Sequence, residues 1–208
     1  NMADVGYDCN QNRRSFFVPL TPAEIACFES HRAALQRFIS DEGVTHGVIL
    51  EDDVEFVSHS VLAIQQLTER VDSASAQLVK LYSKRTCWSA HNTEVSNSLV
   101  LQRSVRVPLG CQGQLWTKSA AKEFLNKTVS YGMPVDVELQ LKWRFDFNIG
   151  LVAPSMIREL SADVGGSTIS PKKKQLSVDK LRLEIARPWF RLLLLIRSIT
   201  ETYLAKRG

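Results

Sequence analysis

Gly47-Val48-Ile49-Leu50-Glu51-Asp52-Asp53-Val54 is the stretch whose reading decides the fold. Its apolar half reads as a buried strand, and its abrupt end in three carboxylates cannot continue into a core, because unpaired charges are costly away from water. The end of the strand must meet water or a cation. In open α/β sheets that edge, at the carboxyl ends of the strands, is where ligands bind. Alternation along an extended chain sends Glu51 and Asp53 to one face and Asp52 to the other, so residues one apart could share a divalent cation and a polar ligand. Hard oxygen donors suit Mg²⁺ or Mn²⁺ rather than zinc. The bland alternative is a solvated acidic turn after a strand.

The residues before this stretch supply a helix. Thr21-Pro22-Ala23-Glu24 places Thr21 as N-cap, Pro22 at the first helical position and Glu24 where it reaches back as a capping box. Ile25, Phe28, Leu35 and Phe38/Ile39 mark its buried stripe, ending near Asp41-Glu42-Gly43,. A helix followed by a strand at this spacing is typical of an α/β layer. After the acidic trio the pattern predicts a helix over 61–71, a buried strand over 77–82, strands over 99–107 and 113–116, a helix capped by Thr117 and running through Leu125, a helix from Val135 to Phe145, and a strand near 149–152. Residues 1–20 and 83–98 read as loop, and there is no internal repeat.

Composition narrows the class. The chain has 208 residues, 44% hydrophobic and 23% charged, the profile of an ordinary globular protein with room for one substantial core. Its net charge of +4 divides into about −3 over residues 1–170 and +7 over Pro171–Gly208. A mildly acidic body argues against a nucleic-acid protein, and a basic tail fits contact with something anionic. Leu181, Ile185, Trp189, Leu192, Ile196, Ile199 and Tyr203 form one apolar stripe in that tail, flanked by Arg187, Arg191 and Arg197 and interrupted by Pro188. Such a basic amphipathic helix lies at an anionic membrane surface or packs on protein. The chain therefore divides into a body over 1–170 and a helical tail over 171–208.

Four scattered cysteines, Cys9, Cys27, Cys87 and Cys111, point to a reducing compartment rather than a disulfide scaffold. Two Cys-x-x-x-His pairs, Cys27/His31 and Cys87/His91, could suggest zinc, but the long gap between them argues against a shared site. His31, on the same helical face as Phe28 and Leu35, reads as a structural core histidine. No signal peptide is visible at the amino end of this sequence, and no run reaches the roughly 20 apolar residues that span a bilayer. The first residue, Asn1 rather than Met, reads as the start of a fragment or a processed product.

Leu20-Thr21-Pro22-Ala23-Glu24-Ile25-Ala26-Cys27-Phe28-Glu29-Ser30-His31, followed by Val48-Ile49-Leu50-Glu51-Asp52-Asp53-Val54, closely resembles the signature of glycosyltransferase family 25, the lipopolysaccharide and lipooligosaccharide galactosyltransferases. Looser likenesses, at Val79-Lys80-Leu81, at 113–121 and at Pro134-Val135-Asp136, extend it over about 18–170. The resemblance implies a GT-A-like α/β sheet with flanking helices. It also implies a UDP-sugar donor, commonly UDP-galactose, Mn²⁺ or Mg²⁺, and inversion at the sugar carbon.

On that mapping Asp53 is the most direct metal ligand. Glu51 faces the ribose or uridine and also serves the metal, and Asp52 assists with the nucleotide. Asp136, at the start of a helix whose dipole favours its ionised form, is the candidate base that takes the acceptor hydroxyl proton, with Glu138 behind it; an N-terminal capping role is the alternative for Asp136. The implied acceptor is a lipopolysaccharide or other glycan, and the implied place is the cytoplasmic face of the inner membrane, held peripherally by the tail. Family members begin with a strand, an Arg-containing helix and a second strand that complete the nucleotide pocket. This sequence starts after them, and Gln114 stands where an aromatic residue is usual. A non-catalytic, truncated glycosyltransferase-like module that binds glycan, membrane or protein is therefore the alternative reading.

Overall fold

The computed structural model describes residues 5–16, 18–57, 60–71, 76–84, 87–96, 98–160 and 178–204. The capping box forms as the sequence predicts. Thr21 Oγ1 accepts the Glu24 N–H at 3.2 Å and Glu24 Oε2 accepts the Thr21 N–H at 2.6 Å, so two orphan donors at the helix start are satisfied reciprocally. The helix that follows, α2 (Pro22–Ser40), buries Ile25, Phe28, His31 and Leu35. Phe28 stacks on Tyr131 with centroids 3.7 Å apart. Ahead of it lies α1 (Cys9–Ser15), capped by Asp8, where the sequence suggested loop. Seven polar residues carry no apolar stripe to reveal this helix.

Six strands form one sheet in the order β1 (His46–Leu50), β6 (Gly113–Thr117), β3 (Leu78–Lys80), β7 (Ile149–Ala153), β5 (Leu99–Ser104), β4 (Ser89–Ser96). Only β3 and β7 pair in parallel; every other pairing in this sheet is antiparallel. A second, two-stranded sheet joins β2 (Val54–Phe56) to β8 (Ile157–Glu159). The fold is mixed α/β, a multi-stranded sheet with helices against it.

Alternation divides the core. Leu78, Trp116 and Ile149 face α2, α4 (Lys118–Lys127) and α5 (Val135–Gln140) with Phe28, Phe124 and Leu139. On the opposite face Val79, Leu115, Leu101 and Val152 pack with Leu67 of α3 (Ser60–Arg70) and Ile157 of β8.

Three further expectations need correction. The strand before the acidic trio is not buried on both faces: β1 is an edge strand whose Val48 and Leu50 are exposed while Ile49 packs inward. Residues 89–96, expected as loop, pair with β5 as the other edge; an edge strand needs little apolar content because half its surface is wet. The helix expected over 135–145 stops at Gln140 and gives way to a 3₁₀ turn at Lys142–Arg144.

The tail forms α6 (Val178–Leu204), a helix that continues through Pro188. The proposed boundary at residue 170 lies outside the described residues. One face of α6 returns to the body. Leu194 is buried with Met133, Val137 and Leu141, Phe190 packs beside them, and the Arg197 guanidinium sits 5.4 Å from the Trp143 ring centre. Lys142 Nζ donates to Thr202 Oγ1 at 2.6 Å. The stripe itself is not the packed face: Trp189, Leu192, Ile196 and Tyr203 remain exposed.

Removing the cap tests whether α2 is locally stabilised as described. Thr21→Ala should lower folding stability by about 1 kcal/mol, read as a fall in the denaturant midpoint with an unchanged slope.

Candidate functional site

Strand directions gather the charged residues at one edge. Leu50 pairs with Gly113 and Lys80 with Gln114, so the carboxyl ends of β1 and β3 lie beside the amino end of β6. The Glu51 N–H donates to the Gln112 carbonyl at 3.0 Å, which fixes where the acidic segment leaves the sheet. Asp52 and Asp53 form a turn rather than a strand extension, with Glu51 leading into it. The expected alternation of their side chains therefore stops at Leu50.

Glu51 points back toward α2. Its Oε1 lies 3.7 Å from His31 Nε2, with His31 only 6% exposed. One turn earlier on the same helix face is Cys27. Its thiol is pushed up to about 11, first by burial and then by the charges of Glu51, Asp136 and Glu24. Residues distant in sequence thus act on one atom, and Asp136 belongs to the same neighbourhood as the acidic trio.

Asp53 lies apart from that grouping, at the start of β2. Among the described residues its Oδ1 is buried with no hydrogen-bond partner, and its carboxyl is shifted upward by burial and then by Glu51, with Glu159 and Asp52 adding to the rise and its own backbone N–H opposing it. A buried carboxylate oxygen without a donor has unused capacity for a cation. Asp52 is exposed. Glu159, brought in by pairing of β8 with β2, holds Lys84 Nζ at 2.6 Å.

Lys80 is the residue that sequence reasoning passed over. It is 1% exposed and donates to the carbonyls of Pro108 and Gly110. Burial pushes its ammonium down, opposed by Cys111, Asp136, Cys87 and Glu51. Gly110 adopts φ +87°, a conformation that residues with a Cβ avoid. From there its N–H donates to Asp136 Oδ2 at 2.9 Å, while Asp136 Oδ1 accepts the Val137 N–H at 2.8 Å. Asp136 is therefore held by two backbone donors, and each of its oxygens keeps a second lone pair. Glu138 is fully buried and ion-paired with Arg144, which commits it to structure rather than to proton transfer. A lysine within the apolar run Leu78-Val79-Lys80-Leu81 was the available signal, because a buried strand admits a charge only where partners await it.

Gln114 is also fully buried. Its Oε1 accepts the Trp116 indole N–H at 2.8 Å and its Nε2 has no partner among the described residues, so the amide does here what an aromatic residue could not: it fixes the Trp116 ring.

Fold and edge together define a mixed α/β protein whose acids, a buried lysine, a thiol and an imidazole converge where β1 and β3 end. The family model described as glycosyltransferase family 25, LPS biosynthesis protein, matches residues 6–139, and the chain belongs to that family. It is thus a member of a glycosyltransferase family acting in lipopolysaccharide biosynthesis, which entails a sugar donor and a glycan acceptor. The match runs from just before α1 to within α5 and includes Glu51, Asp52, Asp53 and Asp136. No curated protein matches the chain. Among the described residues, no helix is long and apolar enough to cross a membrane.

Lys80→Met tests the role of the buried ammonium. Two inward-facing carbonyls would lose their donor, costing about 1–3 kcal/mol for each acceptor left unsatisfied. Chemical denaturation of the two proteins reads the difference.

Proposed function

We propose that the chain transfers a hexose, with galactose the family's habit, from a UDP-sugar to a lipopolysaccharide, lipooligosaccharide or related glycan, with inversion and with a divalent cation of the Mn²⁺ or Mg²⁺ class. The observation that carries this reading is the family match over residues 6–139, within which the acids Glu51, Asp52 and Asp53 follow β1 and Asp136 is held by the N–H of Gly110, whose carbonyl receives the buried Lys80. Asp53, with a buried oxygen that no donor among the described residues reaches, would hold the cation, and Asp52 would meet the nucleotide; Glu51, whose carboxylate faces His31, would stand beside both. When bound, the cation neutralises the charge that develops on the departing diphosphate without needing a proton.

Asp136 takes the acceptor hydroxyl proton as that oxygen bonds to the sugar carbon and the bond from carbon to the diphosphate oxygen breaks. Its two backbone donors orient the carboxylate and leave lone pairs for the proton. Lys80 acts through Gly110 to place that carboxylate.

Metal dependence should be visible in binding. In a native chain, calorimetry should show UDP affinity rising when Mn²⁺ is added, and Asp53→Asn should abolish that rise. Equal affinity with and without Mn²⁺ would remove the cation from the reading. Asp136→Asn should lower kcat strongly while leaving donor affinity near normal.

The tail supports peripheral placement on the anionic cytoplasmic face of the inner membrane. Trp189, Leu192, Leu193 and Ile196 stand exposed beside Arg191, the pairing of apolar and basic groups that favours an anionic lipid surface. Trp189→Glu with Ile196→Glu, both changes on exposed positions, should reduce co-sedimentation with anionic vesicles while leaving folding stability unchanged. Binding by the native chain should weaken as salt rises; pelleting indifferent to salt and lipid charge would assign the stripe to protein contact.

A further inference from the structure

We propose that Cys27, His31 and Glu51 bind a borderline-soft divalent cation of the zinc class, at a site separate from the oxygen-donor position of Asp53. Their donor atoms, one from each side chain, all lie within 4.8 Å of one another, the only such grouping of three or more potential ligands among the described residues. Bonds of about 2.0–2.3 Å in a tetrahedral centre put ligand atoms roughly 3.3–3.8 Å apart. His31 Nε2 and Glu51 Oε1, at 3.7 Å, already have that spacing. The remaining closure is about 1 Å, within the reach of side-chain rotation.

The scaffold is suited to the task. Cys27 and His31 stand one turn apart on α2, a helix fixed by its capping box and by the burial of Phe28 and Leu35. Glu51 is fixed from the sheet side by its N–H on Gln112. A cation here would tie α2 to the end of β1. Three protein donors leave a fourth position open, as in zinc centres that also take water or a ligand. The donor set decides the metal: a thiolate and an imidazole favour zinc over Mn²⁺, whereas Asp53 offers only oxygen. The pairing that spacing in the sequence first suggested, Cys27/His31 with Cys87/His91, is not what the fold assembles. Glu51 takes the place of the second pair.

This inference rests on the geometry of α2 and β1 and not on the transferase reading. It requires only that the three donors close on one ion.

The test uses the full chain, stripped with chelator and equilibrated with zinc, followed by metal analysis after gel filtration. Stoichiometric zinc is expected in the native chain and in Asp53→Asn and Cys87→Ser, with loss in Cys27→Ser and in His31→Gln. Cobalt in place of zinc should give a thiolate-to-cobalt charge-transfer band in the native chain that Cys27→Ser removes. Circular dichroism of the variants shows whether they fold. Should either fail to, the cobalt band in the native chain still decides, since its absence overturns the proposal. Retention of zinc by folded Cys27→Ser and His31→Gln overturns it also. Zinc lost only in Asp53→Asn would assign the ion to the oxygen-donor position, whose own reading is judged separately by Mn²⁺-dependent UDP binding.

Discussion

A lysine ammonium with 1% of its surface exposed has to find all its acceptors inside the protein, and that requirement organises the site end of the sheet. Strand β3 presents Lys80 on the face it shares with Leu78, toward α2 and α5. The carbonyls that receive it come from Pro108 and Gly110, so the segment entering β6 must bend over the lysine. Gly110 can make that bend because it tolerates a positive φ,. The same turn aims its N–H at Asp136. One buried charge therefore fixes a loop, the loop fixes a carboxylate, and the carboxylate fixes the start of α5. A buried ion is expensive to keep. What it yields here is placement of groups drawn from three distant parts of the chain.

The acidic segment obeys a different constraint. Edge strand β1 has one packed face and one open face, and its hydrogen bonding ends at Leu50 and Glu51 against β6. Beyond that point the chain turns, so the three acids do not act as one cluster. Glu51 goes to the helix side, against His31; Asp53 goes to the β2–β8 side, near Glu159; Asp52 faces solvent. A run of like charges is thus spread over three settings, while Glu51 and Asp52 still act on Asp53 and raise its carboxyl.

Much of this was legible in the sequence, for identifiable reasons. The capping box of α2 is local chemistry, readable from Thr21 and Glu24 alone. A buried strand such as 78–80 announces itself by the apolar residues Leu78, Val79 and Leu81. Where polar residues form regular structure, at α1 and at the edge strand 89–96, the pattern is silent because little apolar surface is buried. The site was legible only as far as residue types go. The spacing of Glu51, Asp52 and Asp53 could not show that a turn would separate them, and Cys27 and His31 gave no sign that their third neighbour would come from β1. Asp136 and Lys80 are joined through a glycine carbonyl and N–H, a link that side-chain patterns do not encode.

The tail helix shows how one amphipathic pattern can conceal a second. Phe190, Leu194, Ser198 and Thr202 recur every fourth residue and form the face that meets the body, with Leu194 in the apolar cluster, Ser198 and Thr202 buried, and Thr202 receiving the Lys142 ammonium. A row at that spacing is a ridge inclined to the helix axis, and its polar half hides it from a search for apolar residues. The louder stripe through Trp189, Leu192, Ile196 and Tyr203 lies elsewhere on the same helix and is exposed. Because α6 is anchored by the quieter face, the exposed one is held at a fixed orientation relative to the sheet. Whatever surface it meets is therefore met with the acidic edge in a defined attitude.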